Sequence, residues 1–186
     1  HTWALILALA RRIIPADTST KAGKWEGTKF IGIDLSSKTI GILGLGTIGQ
    51  RVAERARGFG MNIFHYDKRR NKALERKIGV TYVDLERLLR ESDILTIHAA
   101  LTSETRKMIG ARELRMMKNT ALLINTARGE IIDEKVLVQA LQEGWIAGAA
   151  LDVFEGEPPE QLLKMDNVVL TPHIAAYTIE ALRRMD

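Results

Sequence analysis

The sequence has 186 residues and a net charge of +4, with 46% apolar residues, 27% charged residues and no cysteine. This composition is ordinary for a globular protein. The absence of cysteine excludes disulfides, zinc–thiolate sites and a cysteine nucleophile, and it fits the cytoplasmic location that we expect. The mild, scattered positive charge predicts no nucleic-acid surface. The apolar opening stretch is too short to span a bilayer, so we expect no membrane partner.

The first residues predict a helix followed by a connector. Residues 3–10 form an apolar run, which two arginines close. A helix that is apolar nearly all round needs burial on both sides, so we expect part of its cover to come from another subunit or from further chain. Scattered Gly, Pro, Ser, Thr and Asp then predict little regular structure. We therefore assign residues 1–14 to an opening helix and residues 15–37 to a connector.

From residue 38 to residue 174, short apolar runs alternate with amphipathic helices. This rhythm is typical of buried parallel strands joined by crossover helices. We therefore predict an α/β fold, a Rossmann-type doubly wound parallel sheet, over a mixed α+β domain. The predicted strands are residues 39–43, 61–66, 94–97, 121–124, 146–151 and 168–170, and helical spacing marks residues 47–60, 74–78, 85–90 and a helix capped by Asp133.

Residues 44–49 read GLGTIG, a G-x-G-x-x-G motif between the first strand and the first helix of this domain. That context favours a dinucleotide site over an ordinary glycine turn. We predict that Gly44 permits a tight turn, that Gly46 lets the backbone approach a pyrophosphate, and that Gly49 lets helix and strand pack closely. The start of the helix offers free N–H groups and a positive dipole end to the phosphates.

Asp67 follows the next predicted strand, about twenty residues after the glycine loop. A carboxylate there accepts hydrogen bonds from the adenosine ribose and repels a 2′-phosphate, which favours NAD. Lys68, Arg69 and Arg70 come next and could pair with such a phosphate. We interpret these three cations as a solvated turn. The sequence therefore predicts NAD as the cofactor, with NADP less favoured.

Three later strand ends carry ionisable residues. Residues 125–129 read NTARG, residues 151–158 read LDVFEGEP, and residues 171–173 read TPH. The carboxyl ends of parallel strands face the ligand crevice of an open α/β sheet. An arginine, several acids and His173 are therefore predicted to meet there. The alternative interpretation is that His173 is a core histidine bonded to a backbone carbonyl.

In these motifs the sequence resembles the NAD-binding domain of the D-isomer-specific 2-hydroxyacid dehydrogenases. The resemblance rests on GLGTIG, TARG, DVF with the following EP, and TPHIA, and it covers almost the whole chain. It implies one cofactor domain of a two-domain, NAD-dependent oxidoreductase that acts on a small 2-oxo or 2-hydroxy acid. Residues 175–186 would begin a return helix to the substrate domain. It further implies a homodimer formed through the cofactor domain, and we expect this chain alone to be nearly inactive.

The resemblance also implies roles for individual residues. His173 would be the general acid/base, and Glu157 would pair with it, with Glu155 as the competing acid. Arg128 would bind the substrate carboxylate and stabilise developing negative charge. Asp152 would hold the nicotinamide carboxamide. The full set predicted to contact the cofactor is Gly44, Gly46, Thr47, Ile48, Gly49, Asp67, Ala99, Thr126, Ala127, Arg128, Asp152 and His173.

Within the family we favour a D-3-phosphoglycerate dehydrogenase, an enzyme of serine biosynthesis, and keep glyoxylate or hydroxypyruvate reductase as the alternative. An NAD-sensing corepressor is the alternative from another class, because such relatives retain the arginine, glutamate and histidine. The chain departs from the family pattern at Ala100, where proline is usual, and at residues 176–177, where many relatives have a serine that contacts the nicotinamide. We interpret His98 as lining or structural, and His65 as structural.

Overall fold

The computed structural model describes residues 1–183, which form one parallel sheet with helices on both faces. The strands are β1 Thr39–Leu43, β2 Asn62–Tyr66, β3 Thr81–Tyr82, β4 Ile94–Ile97, β5 Leu122–Asn125, β6 Gly148–Leu151 and β7 Val168–Leu170. The helices are α1 Thr2–Ala10, α2 Ile13–Lys21, α3 Thr47–Ala56, α4 Lys72–Ile78, α5 Leu85–Glu91, α6 Ala111–Met116, α7 Glu134–Gln142 and α8 Ile179–Leu182. The last part of the predicted return helix, residues 184–186, lies outside the described residues.

The sheet has the strand order β3-β2-β1-β4-β5-β6-β7, and every neighbouring pair is parallel. The chain runs outward from β1 to β3, then returns to the other side of β1 and continues to β7. This reversal is the switch point of a doubly wound sheet, where ligands bind beyond the carboxyl ends of the strands. The predicted α/β, Rossmann-type fold is confirmed.

The strands form because their side chains are apolar on both faces. Ile40, Ile42, Ile94 and Leu95 are each 0% exposed. Helices α1, α3 and α4 cover one face of the sheet, and α5, α6 and α7 cover the other. Full burial of a side chain of this size stabilises the fold by about 1.5–3 kcal/mol. The central strands are therefore a rigid base for the loops at their ends.

Helix α1 packs on the chain's own sheet. Leu5, Ile6 and Leu9 are 3%, 0% and 8% exposed, and they share a core cluster with Leu122 and Ile124 of β5. The chain's own sheet therefore covers these three residues, and cover of the rest of the helix by another subunit or by further chain stays a prediction.

The connector contains a helix that the sequence analysis did not predict. Helix α2 covers Ile13–Lys21, so the expectation of little regular structure was wrong there. Pro15 is tolerated because N–H groups in the first turn of a helix have no intrahelical partner. The hydroxyls of Thr18 and Thr20 donate to carbonyls four residues earlier, at 3.0 and 2.9 Å. These side chains therefore bond within the helix instead of ending it.

Candidate active site

The glycine loop joins β1 to α3 at the switch point of the sheet. Gly44 has a φ of +95°, and a Cβ there would lie 2.7 Å from the Ala99 nitrogen. A Cβ on Gly49 would collide with the Gly44 carbonyl oxygen, whereas one on Gly46 would meet nothing within 4 Å. Among the described residues, no side chain caps the start of α3. Open space above uncapped N–H groups fits a pyrophosphate, as predicted for Gly46.

Asp67 lies directly after β2 and is bonded to the glycine loop. One carboxylate oxygen accepts a hydrogen bond from the Leu45 nitrogen at 2.9 Å, and the other accepts one from the Arg69 nitrogen at 3.1 Å. The half-buried carboxylate lines a cavity of about 780 Å³ together with Gly44, Gly46 and Ala99. A fixed acid beside an open glycine loop fits the ribose and phosphates of a dinucleotide.

Two histidines belong to the strands next to β1: His65 lies within β2, and His98 directly follows β4. His98 follows β4 and lines the same cavity, and its Nε2 lies 2.9 Å from the Thr96 hydroxyl. Burial lowers the pKa of His98 to about 4, so the ring is neutral near neutral pH. His65 in β2 is 1% exposed, and burial lowers its pKa as well. These positions agree with the lining and structural interpretations.

A second cavity, of about 480 Å³, lies at the ends of β5, β6 and β7. Arg128, Asp152, Glu157 and His173 all line it, so the structure brings together the predicted chemical groups from three strand ends. Much of the remaining wall is apolar: Val153, Phe154, Pro158, Leu163, Leu170 and Pro172.

Arg128 is exposed, and within residues 1–183 its guanidinium pairs with no carboxylate. Its backbone is held by Asn125, for which the sequence predicted no role. The Asn125 side chain is 0% exposed, accepts a hydrogen bond from the Ala127 nitrogen at 3.0 Å and donates one to the Arg128 oxygen at 2.9 Å. An asparagine at the end of an apolar strand, just before a turn, was the available signal.

His173 is exposed and has a φ of 57°, so the core-histidine interpretation was wrong. Glu157 is exposed too, and no hydrogen bond or ion pair joins it to His173 within the described part of the chain. Their predicted pairing is therefore absent here, although both line one cavity. The competing Glu155 does not line it and instead lies 3.5 Å from the Arg106 guanidinium.

Asp152 fixes the turn that carries His173. Its carboxylate is 0% exposed and accepts hydrogen bonds from the Thr171 hydroxyl at 2.5 Å and from the nitrogens of Ile174 and Ala175 at 2.9 Å. The Nε2 atom of His1, the first residue of the chain, lies 3.2 Å from the Asp152 carboxylate. Asp152 therefore orders the backbone on both sides of His173, and its contact with a nicotinamide stays a prediction.

The remaining residues predicted to contact the cofactor are near the two cavities. Thr47 and Ile48 are exposed in the first turn of α3, beside the open glycine loop. Thr126 and Ala127 are half-buried in the turn after β5, where the Thr126 hydroxyl lies 3.0 Å from that of Thr2. The structure thus places all of these residues at the carboxyl edge of the sheet.

Residues 3–175 match the model of the D-isomer specific 2-hydroxyacid dehydrogenase family, NAD binding domain. The chain belongs to this family. The sequence-based resemblance and the prediction of NAD as cofactor are both confirmed.

Several relatives within this family are glyoxylate reductases or other dehydrogenases of 2-hydroxy acids. The chain is 51% identical to a glyoxylate reductase from Thermococcus litoralis over 96% of its own length and 57% of that protein. It matches the crystal structure of a glyoxylate reductase from Paecilomyes thermophila with a TM-score of 0.93 and 41% identity, covering 99% of this chain and 56% of that one. A D-lactate dehydrogenase from Aquifex aeolicus, complexed with NAD and lactic acid, matches with a TM-score of 0.90 and 35% identity over 100% and 61% of the two chains.

The chain spans about three fifths of the length of the curated relatives that it matches. The named relatives favour the alternative, glyoxylate reductase, over the first expectation, D-3-phosphoglycerate dehydrogenase. Among residues 1–183, no helix has the length and apolar character needed to cross a membrane.

Proposed function

We propose that the whole protein is an NAD-dependent reductase of small 2-oxo acids, with glyoxylate as its preferred substrate. The observation that carries this proposal is the shared cavity of Arg128, Glu157 and His173, at the same sheet edge as the glycine loop. The names of the relatives support glyoxylate as the substrate.

The chain's residues divide the work of such a reaction. When bound, the reduced nicotinamide supplies a hydride to the carbonyl carbon of the acid. His173 donates a proton to the carbonyl oxygen, which completes the new hydroxyl group. Arg128 binds the substrate carboxylate and stabilises negative charge on the reacting oxygen. Glu157 lines the same cavity, and in the whole protein it would pair with His173 and fix the orientation of the ring.

The residues that would hold the cofactor belong to the first cavity. The N–H groups at the start of α3 would bind the pyrophosphate above Gly46, and Asp67 would accept hydrogen bonds from the adenosine ribose. The glycine loop is already held in place by the hydrogen bond that the Leu45 nitrogen donates to the Asp67 carboxylate. Binding therefore requires little reorganisation of this loop.

The test is steady-state reduction of a panel of 2-oxo acids by the whole protein with NADH, followed by loss of NADH absorbance. The panel contains glyoxylate, hydroxypyruvate, pyruvate and 3-phosphohydroxypyruvate. We expect the highest kcat/KM with glyoxylate. Preference for the phosphorylated acid would overturn the glyoxylate assignment. Binding of NADH without turnover of any acid would favour the NAD-sensing alternative.

We also propose that the protein forms a homodimer through the segment after α1. Ile13, Ile14, Trp25 and Ile31 are 51%, 50%, 93% and 80% exposed. Exposed apolar side chains clustered along one segment are typical of an interface. Sedimentation at high concentration should show a dimer, and a strictly monomeric species would contradict this proposal.

A further inference from the structure

Two of the cations that follow Asp67 pair with carboxylates that differ in burial: Arg70 pairs with Glu75, and Lys68 pairs with Glu104. The Arg70 guanidinium donates to both carboxylate oxygens of Glu75, with Nε and Nη2 each 3.0 Å from one of them, and it lies 4.7 Å from the centre of the Tyr82 ring. Arg70 is thus held at two points and over an aromatic face, a geometry in which arginine is strongly fixed. Neither Arg70 nor Glu75 lines the cofactor cavity.

Glu75 depends on this contact because its carboxylate is nearly buried. Its side chain is 8% exposed, and the neighbouring His65 ring lies 3.7 Å away and is 1% exposed. Burial lowers the pKa of His65, so the ring offers no positive charge near neutral pH. If Arg70 turned away, Glu75 would remain as a nearly buried carboxylate without its cation. Breaking such a pair costs much more than breaking one in solvent.

Lys68 provides the contrast. Its ammonium lies 2.6 Å from the Glu104 carboxylate, but the two side chains are 74% and 63% exposed. Both residues line the cofactor cavity. An exposed pair of this kind contributes little to stability and opens readily. Of the two paired cations, Lys68 is therefore free to move toward a ligand and Arg70 is not.

We infer that Glu75 is a specificity-determining residue, which holds the Arg70 guanidinium outside the cofactor cavity and so keeps the site selective for a dinucleotide with a free 2′-hydroxyl. A 2′-phosphate is bound best by a guanidinium close to the ribose. Asp67 repels that phosphate, and Glu75 holds back the Arg70 guanidinium, which is one of the cations that could attract it. The inference rests on the proposed cofactor site and adds a residue that does not touch the cofactor.

The experiment is calorimetric titration of the 186-residue chain with NAD and with NADP. Four proteins are compared: the wild type, Asp67→Ser, Asp67→Ser with Glu75→Gln, and that double variant with Arg70→Ala. Adding Glu75→Gln to Asp67→Ser should raise the affinity for NADP about tenfold, because it releases a guanidinium for a charge-assisted contact. The affinity for NAD should stay within about twofold. Adding Arg70→Ala should remove the gain.

Glu104→Gln, made in the Asp67→Ser background, is the matched control. Like Glu75→Gln, it removes one carboxylate that pairs with a cation. The cation that it releases, Lys68, is already exposed, so the affinity for NADP should rise less than about threefold. Melting curves check that every variant is folded.

Three results would overturn the inference. NADP affinity could stay unchanged on adding Glu75→Gln while NAD still binds, the gain could survive Arg70→Ala, or Glu104→Gln could match the gain. Failure of the wild type to bind either dinucleotide would instead overturn the proposed cofactor site, and this inference with it.

Discussion

The two cavities at the carboxyl edge of the sheet are built differently. In the first, most of the binding groups are backbone: the uncapped N–H groups of α3, the space at Gly46, and a loop bonded to Asp67. In the second, the functional groups are the side chains of Arg128, Glu157 and His173, which are exposed. The first cavity is thus ordered before any ligand binds, whereas these three side chains of the second form no ion pairs within residues 1–183.

The difference lies in the side chains and not in the backbone. Asn125 fixes the turn before Arg128, and Asp152 fixes the turn that carries His173. Both residues are 0% exposed. A fixed backbone that carries exposed charged side chains suits groups that must bind and release a small acid during each turnover. Rigidity therefore serves cofactor binding directly, and it serves catalysis through the buried polar side chains of Asn125 and Asp152.

The largest expected effect is on the second cavity. In the whole protein, His173→Ala should lower kcat by about 10² to 10⁴, because loss of a general acid typically costs that much. NADH affinity should stay near the wild-type value, since the glycine loop and Asp67 are untouched. Steady-state reduction of glyoxylate and NADH fluorescence titration measure the two quantities.

Glu155→Gln is the control for that variant. It changes a charged group near the same strand ends, but its carboxylate lies outside the cavity beside Arg106. Its turnover should equal that of the wild type. If His173→Ala kept near wild-type kcat, the acid/base assignment would be wrong, and the two cavities would not differ as described.

Most of the sheet was predictable because its strands are buried on both faces. Continuous apolar runs mark β1, β4, β5 and β7 within one or two residues of their observed bounds. The two-residue strand β3 and the six-residue helix α6 are too short for a periodic pattern. Helix α2 was missed because its threonines and proline are typical of loops, and only its side-chain hydrogen bonds show why they fit.

The site was predictable in its residues but not in their contacts. Order along the chain and position after strands indicated Arg128, Glu157 and His173, and the structure brings them to one cavity. The support from Asn125 and from Asp152 was not predicted, because it depends on which backbone groups the fold brings close. For the same reason the sequence could not show that Glu157 and His173 form no hydrogen bond or ion pair with each other within residues 1–183.

A smaller effect concerns His98, the half-buried histidine of the first cavity. Its pKa is about 4 in the folded chain, against about 6.5 for a free histidine. Above the higher value neither state binds the proton. Between the two values the unfolded chain binds it and the folded chain does not, so stability falls as the pH falls. The loss due to His98 should reach about 2–3 kcal/mol by pH about 4.

His98→Gln should abolish that part of the loss while keeping a polar partner for Thr96. Urea unfolding of both chains at a series of pH values between about 7 and 4 measures it. An unchanged pH dependence in the variant would show that His98 is protonated in the folded chain, and that the first cavity is less dry than its structure indicates.

The smallest differences are expected in the glycine loop, where we expect Gly49 to matter for stability and Gly46 for NAD binding. Gly49→Ala should destabilise the chain by about 1–3 kcal/mol, because the added methyl group collides with the Gly44 carbonyl oxygen.

Gly46→Ala should leave the free energy of unfolding within about 0.5 kcal/mol of wild type, because its methyl group meets no described atom within 4 Å. It should nevertheless weaken NAD binding about tenfold, since that space is where the pyrophosphate approaches the backbone. Urea unfolding and calorimetric titration of the two variants separate these effects. If Gly46→Ala bound NAD as tightly as the wild type, the open space would not be the phosphate site, and the order of the first cavity would serve the fold alone.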